Sequence, residues 1–579
     1  MANSYDFIVV GAGTAGLLLA TRLATALPDH TVLVLESGSA YPDNTHLCQY
    51  DKFQVFERPD LDLGYVSSPQ AFLRDREIPY FRGKGPGGSS NVNFMVYLYG
   101  SGEDYNHWAE LVGDDFWRWD QTQRRFKEIE TFHTEVPEGL KKYAHPLTED
   151  HGQKGPLHVS LPSHPENGIT GILDAATRYG MPLNLDVNSG YPIGISIAPS
   201  SSFKGYRSTS ESIYTSHRPG NLTMVTDAKV AKITFENKVA VGVETIDGRT
   251  FVANQEVILS AGCFDTPKIL LLSGIGPKEE LSQHNIQVIH DLPGTGKNLS
   301  DHVVVCLGAS YAPGFGLLDR WKFDSDPDAS RAAREQWRQD GTGVTNLHRS
   351  CMITGWLKEE AILKTDEYQS LGTLSKQHLA HGSVPHYEMI LGGPQFPPTY
   401  VIPEGTSFLC AGVGLMNMQS RGEVTLKSAD PNDNPIINPN YMSHPYDRRM
   451  LSLAVREIMK FFESEAIEPE FTGYVLAPKS QSDEDIYEFI EEQLLPVFHA
   501  NGTVKMGKAD DPTACTDPNF RVYGVEKLRV VDLSICPMTP NNHLQATAYL
   551  VAQAAFEKMI AEYSGVSLPQ DGGGHSIPA

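Results

Sequence analysis

The sequence predicts an α/β protein of two lobes. Its 579 residues exceed the roughly 100–200 residues that one domain usually organises. The chain opens with the apolar strand Phe7–Val10, a glycine turn, a helix from about Ala15 to Leu27 and a second strand at Thr31–Leu35. This order is typical of a Rossmann-type unit, in which a helix crosses between two parallel strands.

Later segments continue the mixture of strands and helices. Short strands are predicted at 222–226, 232–235, 240–244, 257–260 and 528–531. Helices are predicted at 117–133, 266–273, 446–462 and 545–563. Residues 312–408 lack a clear period and contain several proline and acidic interruptions. The tail, residues 566–579, is expected to be disordered.

Composition and charge exclude several functional classes. The chain carries 47 basic and 71 acidic side chains and a net charge of −24, which repels nucleic acid and anionic membranes. No apolar run is long enough to span a bilayer, and no signal peptide precedes the first strand, so an intracellular, cytoplasmic protein is expected. The seven cysteines show no CxxC spacing, which favours reduced thiols over disulfides or a metal site. The oligomeric state stays open.

The glycine turn after the first strand predicts a dinucleotide site. Gly11, Gly13 and Gly16 form GAGTAG between that strand and the first helix, where glycine lets backbone N–H groups approach a pyrophosphate at the positive helix end. Glu36 ends the second strand, at the distance in sequence where a carboxylate can accept hydrogen bonds from a ribose. The same pattern serves NAD and FAD, so it leaves the choice between them open.

Three further segments resemble signatures of the glucose-methanol-choline (GMC) oxidoreductases. They are GKGPGGSSNVN at 83–93, GCFDTPKILLLSGIG at 262–276 and GTGKNLSDH at 294–302. The resemblance runs from Asp6 to about Ile560 and keeps the family's order of motifs. It implies FAD in an extended form, with its isoalloxazine ring between a Rossmann-like domain and a β-sheet-based substrate domain. The FAD-binding domain would comprise residues 1–160, 220–310 and 505–565, and the substrate-binding domain residues 161–219 and 311–504.

The resemblance also implies individual cofactor contacts. Ser89, Ser90 and Asn93 would lie along the flavin and pyrophosphate. Val230 would offer main-chain atoms to the adenine, and Asp532 would lie near the ribityl chain and the pyrophosphate. The full set of expected FAD contacts is Gly11, Gly13, Thr14, Ala15, Gly16, Glu36, Ser37, Gly83, Gly88, Ser89, Ser90, Asn93, Phe94, Met95, Val230, Ala261, Asp532, Leu533, His543, Leu544 and Gln545.

Two positions differ from the family pattern. Some members bind flavin covalently through a histidine just before the position of Asn93. Val92 stands there in this chain, so non-covalent FAD is expected. Cys263 replaces the small or hydroxyl residue usual after the first glycine of the second signature, and we interpret it as a packing residue.

Two histidines near the C-terminus are the candidate catalytic residues. FHANGTVKMG at 498–507 resembles the family's His-x-x-Gly-Thr motif, which implies that His499 is the general base, a role that suits imidazole because its unperturbed pKa is about 6.5. His543 falls where family members carry His or Asn, and Asn542 is the alternative partner if the register differs by one. The helix that begins near Gln545 would direct its positive N-terminus toward the flavin pyrimidine ring.

The resemblance implies an activity. The expected reaction is oxidation of the CH–OH group of a small-molecule alcohol by hydride transfer to flavin N5, with dioxygen or another acceptor taking the electrons. The chain is most similar to fungal alcohol and formate oxidases. The formate enzymes carry arginine in place of His543, as a carboxylate substrate requires, so a neutral alcohol is favoured. A lyase or photodecarboxylase that uses FAD without net alcohol oxidation, and a flavin-free binding protein, are the alternatives.

The substrate itself is not predicted. Residues 312–408, which are variable within the family, are expected to shape the pocket, with His386, Tyr387 and Phe396 as candidate lining residues. His302 and His381 receive no role.

Overall fold

The computed structural model describes residues 4–43, 45–47, 58–162, 168–314, 326–340, 342–343, 353–392, 407–468 and 470–564. The predicted disordered tail and Phe396 lie outside the described residues. The strands of the two large sheets are β1 Ser4–Val10, β2 Val32–Leu35, β3 Gly194–Ile197, β4 Leu222–Val225, β5 Val230–Glu236, β6 Val239–Thr245, β7 Thr250–Leu259, β8 Val303–Tyr311, β9 Ile353–Leu357, β10 Tyr387–Gly392, β11 Ser407–Leu415, β12 Phe471–Leu476, β13 Leu495–Pro496 and β14 Leu528–Val530.

Helices and short strand pairs surround these sheets. The helices are α1 Thr14–Ala26, α2 Gly102–Val112, α3 Trp119–Ile129, α4 Ile169–Tyr179, α5 Ser210–His217, α6 Gly262–Leu272, α7 Lys278–Gln283, α8 Pro327–Asp340, α9 Asp366–Gln369, α10 Thr373–Ala380, α11 Pro445–Glu463, α12 Asp483–Gln493 and α13 Gln545–Tyr563. The short paired strands are Tyr65–Val66, Pro79–Tyr80, Glu130–His133, Leu157–Ser160, Ser202–Phe203, Tyr206–Arg207, Ile275–Gly276, His290–Asp291, Glu423–Thr425 and Ile436–Asn438. Among the described residues, no helix is both long and apolar enough to cross a membrane.

The first sheet has the order β4-β2-β1-β7-β6-β5, with β14 added beside β7. Strands β4, β2, β1, β7 and β14 pair in parallel, while β5 and β6 form an antiparallel extension on β7. Helices α1 and α13 pack together beside it in the larger hydrophobic core. The predicted α/β class and the opening strand-helix-strand unit are confirmed.

The second sheet is antiparallel and holds its own core. Its order is β12-β8-β11-β10-β9-β3, with β13 paired to β8. Helix α11 packs against β11, and its buried face joins the second hydrophobic cluster. Each large sheet thus has its own hydrophobic core. The exact domain boundaries stay a prediction.

Two predicted helices have different ends in the structure. The helix predicted at 117–133 is α3, which ends at Ile129 because Glu130–His133 pairs as a parallel strand with Leu157–Ser160. The helix predicted from Thr266 begins at Gly262. Pro267 lies inside this helix and cannot donate a hydrogen bond to the Cys263 carbonyl, which instead accepts the Thr503 hydroxyl at 2.8 Å.

A buried histidine connects the two lobes through two carboxylates. His151 Nδ1 lies 3.2 Å from Glu130 Oε1, and its Nε2 lies 3.0 Å from Asp186 Oδ2. Glu130 follows α3 in the first core, whereas Asp186 precedes β3 of the second sheet. Burial lowers the pKa of His151, but the hydrogen bonds and charges of Asp186 and Glu130 outweigh it and raise the pKa to about 9. The imidazole is therefore a cation at neutral pH.

We predict that His151→Leu destabilises the protein in a pH-dependent way. Loss of one partner from a buried ion pair costs about 3–5 kcal/mol. Because the folded-state pKa is raised, the stabilisation is complete below the unfolded pKa of about 6.5 and is lost as the pH rises through about 9. Urea unfolding of wild type and variant should therefore differ most near pH 6.5 and least above pH 9. His217→Gln, at an exposed helix end, is the control, and a pH-independent difference would contradict the prediction.

Candidate active site

A cleft opens where the carboxyl ends of β1, β2 and β7 meet the N-terminus of α1, the edge at which open parallel sheets bind ligands. It encloses about 1140 Å³, including space open to solvent. The expected FAD contacts that line it are Gly11, Gly13, Thr14, Ala15, Glu36, Ser37, Gly83, Gly88, Ser89, Val230, Ala261, Asp532 and Leu533. Residues far apart in sequence thus form one wall.

Two of the predicted contacts lie behind this wall and support it. A Cβ placed on Gly16 would lie 2.2 Å from the Gly11 carbonyl oxygen, so glycine is required for α1 to pack on β1. Ser90 Oγ donates to the Gly87 carbonyl at 2.7 Å. Both residues shape the two glycine turns rather than the cleft surface.

The remaining predicted contacts gather at the start of α13. The side-chain amides of Asn93 and Gln545 are hydrogen-bonded, and the Met95 N–H donates to Asn93 Oδ1 at 2.9 Å. Leu544 is buried and precedes the first residue of α13, where no side chain caps the helix. Phe94 is half-buried. The unpaired N–H groups of α13 make this helix end electropositive.

Glu36 accepts hydrogen bonds from the protein backbone, in addition to those from a ribose that the sequence predicts. Its Oε2 accepts the Ala12 N–H at 2.9 Å, and its Oε1 accepts the N–H groups of Gly38 at 2.8 Å and Gly85 at 3.2 Å. One carboxylate thereby joins the GAGTAG turn, the end of β2 and the second glycine-rich segment. It also lines the cleft, where a sugar hydroxyl would complete its hydrogen bonds.

The cleft wall fits a bound dinucleotide at two of the glycines that line it. Gly13 and Gly262 line the cleft, and a Cβ added to either would meet no protein atom within 4 Å. The backbone is therefore bare where a pyrophosphate would approach it. Asp532 is buried beside Gly262 and accepts its N–H at 2.8 Å and the Thr266 hydroxyl at 2.6 Å.

Sequence reasoning missed three basic residues in the cleft wall: Arg82, Lys229 and Lys268. Arg82 stacks on Tyr80, with its guanidinium carbon 4.9 Å from the ring centroid. Because the whole chain has a net charge of −24, cations in this cleft give it a local charge that suits a phosphate-bearing ligand. Their positions in the sequence could have indicated two of them, because Arg82 directly precedes the first GMC-like signature and Lys268 lies within the second.

The two candidate catalytic histidines lie side by side. The ring centroids of His499 and His543 are 5.0 Å apart and the rings are nearly perpendicular, at 88°. Ala500, the residue after His499, lines the cofactor cleft. Burial, together with the neighbouring His543, His302 and Arg82, lowers the pKa of His499 well below its usual value. The His499 imidazole is therefore unprotonated at neutral pH.

The alternative partner Asn542 does not face His499. Its Nδ2 lies 2.9 Å from the Tyr99 carbonyl and 3.1 Å from the Tyr105 hydroxyl, so its amide is bound within the first core. His543 is the residue of this pair that approaches His499.

Residues 301 and 302, which received no role from the sequence, hold His499 in place. Asp301 is buried, and its Oδ1 accepts the His499 backbone N–H at 2.7 Å, while its Oδ2 accepts the hydroxyls of Tyr80 at 2.5 Å and Tyr441 at 2.6 Å. Burial raises the pKa of Asp301 to about 6. His302 contacts the ring itself, with 2.9 Å between the two Nδ1 atoms. Both lie in GTGKNLSDH, the motif placed beside the second signature.

Glu388 on β10 is a further residue that the sequence did not indicate. It is 1% exposed, and its Oε1 lies 3.0 Å from His543 Nε2 and accepts the Thr354 hydroxyl at 2.6 Å. Because side chains alternate along a strand, its neighbour Tyr387 points the other way, into the second core.

The interpretation of His386 and Tyr387 as pocket residues is therefore wrong. Tyr387 is 2% exposed within the second hydrophobic cluster. His386 is buried among backbone groups: Glu359 N–H donates to its Nδ1 at 2.9 Å, and its Nε2 lies 3.0 Å from the Leu379 carbonyl. Burial lowers the pKa of His386 to about 4. Its role is to join two loops.

Comparison with known proteins identifies the class. Residues 5–304 and 418–552 match the two domains described as GMC oxidoreductase. Patulin synthase of Penicillium expansum is 32% identical over 97% of this chain and 92% of its own length. An oxygen-dependent choline dehydrogenase of Stenotrophomonas maltophilia is 32% identical over 95% of this chain and 94% of its own length. The solved structure of Aspergillus oryzae formate oxidase superposes with a TM-score of 0.84 at 26% identity, covering 97% of this chain and 99% of that one.

The chain therefore belongs to the GMC oxidoreductase family. It is an FAD-dependent enzyme of a family whose members are oxidases and dehydrogenases that act on alcohols. This confirms the resemblance and the choice of FAD over NAD.

We predict that Gly13→Ala lowers FAD content without unfolding the protein. The new methyl group meets no protein atom within 4 Å but occupies the surface that the pyrophosphate approaches. Flavin absorbance per protein should fall several-fold, while the circular dichroism spectrum is unchanged. Gly171→Ala is the matched control, because it also meets nothing within 4 Å but lies on exposed helix α4. Equal flavin content in both variants would refute this account of the cleft.

Proposed function

We propose that this enzyme oxidises the CH–OH group of a neutral small-molecule alcohol, with His499 as general base and His543 as its hydrogen-bonding partner. The observation that carries the proposal is the pair of half-buried imidazoles, with ring centroids 5.0 Å apart, beside the cofactor cleft. Bound FAD supplies the acceptor for the hydride that leaves the alcohol carbon. Dioxygen or another acceptor then takes the electrons.

His499 has the properties of a general base. Its pKa is lowered by burial and by the neighbouring histidines and Arg82, so its lone pair is available at neutral pH to take the hydroxyl proton. Its backbone N–H is held by Asp301, and the preceding residue, Phe498, has a φ of 62°, a conformation that costs energy for a bulky side chain. The loop is thus constrained to present the ring.

His543 differs from His499 in its anchor. Its Nε2 is bound to the buried carboxylate of Glu388, which leaves Nδ1 to face the substrate oxygen. A histidine backed by a carboxylate is oriented and can hold a proton while negative charge develops on that oxygen. We therefore assign proton removal to His499 and stabilisation of the oxygen to His543.

The same carboxylate supports a neutral substrate. Glu388 is buried directly behind His543, and an anionic substrate placed against this side would be repelled. Choline dehydrogenase and patulin synthase are among the relatives, whereas the formate oxidase likeness is one of overall structure at 26% identity. These points favour an alcohol over a carboxylate.

We predict that His499→Ala slows flavin reduction by about 100-fold or more, the loss expected for a general base. Stopped-flow mixing of the FAD-loaded enzyme with its alcohol, without oxygen, measures this rate directly. Flavin content should match wild type. The control is His284→Ala, at a half-buried site in the turn after α7. Wild-type reduction kinetics in His499→Ala would remove His499 from the mechanism.

The rate of flavin reduction should be insensitive to mild acid. Because the pKa of His499 lies well below the ordinary value of about 6.5, the base stays unprotonated as the pH falls from about 8 to about 6.5. A stopped-flow pH series with one alcohol tests this. A loss of rate centred near pH 6.5 would contradict the low pKa.

An alcohol panel tests the reaction class. Anaerobic mixing with primary, aromatic and larger secondary metabolite alcohols should bleach the oxidised flavin with at least one of them, and formate should not. Parallel assays with oxygen and with a dye identify the acceptor. A flavin spectrum unchanged by every alcohol would favour the lyase or photodecarboxylase alternative.

A further inference from the structure

His302 makes an unusual contact with the proposed base. The Nδ1 atoms of His302 and His499 lie 2.9 Å apart, and the two rings meet at 80°. His302 is 0% exposed, and His499 is half-buried. Two ring nitrogens at this distance share one proton, because two lone pairs or two N–H groups would repel each other.

The backbone holds this contact rigidly. The His302 carbonyl accepts the Val497 N–H at 2.9 Å. Ser300 and Asn501 exchange backbone hydrogen bonds of 2.9 and 3.1 Å. The segments that carry the two histidines are therefore paired like neighbouring strands on both sides of the ring contact. These bonds fix the backbone positions from which both rings extend.

The surroundings of His302 decide where the shared proton lies. Its Nε2 is buried with no hydrogen-bond partner among the described residues, and the Met416 backbone, whose effect on this ring is to raise its pKa, is the acceptor near it. A proton on Nε2 satisfies that acceptor, whereas a lone pair there would face a carbonyl oxygen. With Nε2 protonated, the neutral ring has its lone pair on Nδ1, directed at His499.

We propose that His302 is a positioning residue that fixes the tautomer of His499, keeping the proton on Nδ1 and the lone pair on Nε2. This inference rests on the proposed function of His499 as the base. With Nδ1 bound to His302, only Nε2 remains to take the hydroxyl proton. When it does so, the imidazolium keeps its Nδ1–H···Nδ1 bond to His302, and no further proton moves.

The charges around the pair favour a neutral His302. Arg82 is a cationic group near His499, and the Asp301 carboxylate binds the His499 backbone rather than its ring. Burial and the nearby His543 lower the pKa of His302 to about 3. His302 therefore stays an acceptor at neutral pH, whereas His543 has a carboxylate, Glu388, as its anchor. The two active-site histidines are thus held by partners of different charge.

The first test compares two substitutions at position 302 in the FAD-loaded enzyme. In His302→Asn, the amide oxygen replaces the Nδ1 acceptor, whereas His302→Leu fills the space without any acceptor. We expect His302→Leu to slow flavin reduction about 10- to 100-fold, as for loss of a group that orients a functional imidazole, with flavin content and KM near wild type. His302→Asn should recover most of the rate. Equal rates for wild type and His302→Leu would overturn the inference.

The second test reads the tautomer without turnover. Nitrogen NMR of protein labelled at its histidine side chains distinguishes Nδ1–H from Nε2–H, and the His499 signals are those lost in His499→Ala. We expect Nδ1–H in wild type and His302→Asn, and a mixture in His302→Leu. Nε2–H at His499 in wild type would overturn the inference. If no alcohol reduces the flavin, the proposed function fails, and this spectrum still decides the tautomer.

Discussion

The position of the site depends on one segment of the chain, residues 495–530, which is hydrogen-bonded to both large sheets. Strand β13 pairs with β8 of the antiparallel sheet, and β14 pairs with β7 of the parallel sheet. His499 follows the first strand and His543 follows the second, just before α13. Because each strand is hydrogen-bonded to a different sheet, the segment must cross the junction between the lobes. This brings the histidines of the C-terminal region beside a cleft whose glycines come from the N-terminal region.

Burial and neighbouring charges give the histidines of this protein different pKa values. His151 between two carboxylates has a raised pKa, whereas His302, His386 and His499, buried beside neutral or cationic groups, have lowered ones. Desolvation disfavours the charged imidazole in every case, and only a nearby carboxylate reverses its effect. The same fold thus uses one histidine, His151, as a structural cation and keeps another, the proposed base His499, neutral.

The cofactor half of the site could be read from short-range patterns. The GAGTAG turn, the strand before it and α1 are contiguous, so their geometry follows from glycine tolerance and helix periodicity. The second sheet could not be read in this way. Strands β9, β10 and β11 are buried along their entire lengths, so their sequences do not alternate, and a short apolar run without a period fits a strand or a buried helix equally well. Glu388 lies in one of these strands, which is why it was missed.

By itself the sequence determined the α/β class, the family, the FAD site and the two histidine motifs, because each depends on residues close together in the chain or on a resemblance to known motifs. Only the tertiary structure decided which partners the histidines have. His302 and Glu388 lie 197 and 155 residues from the histidines that they contact, and no local pattern encodes such a pairing. Hydrogen bonds between strands of distant origin bring these side chains together, and their burial then sets the protonation of the site.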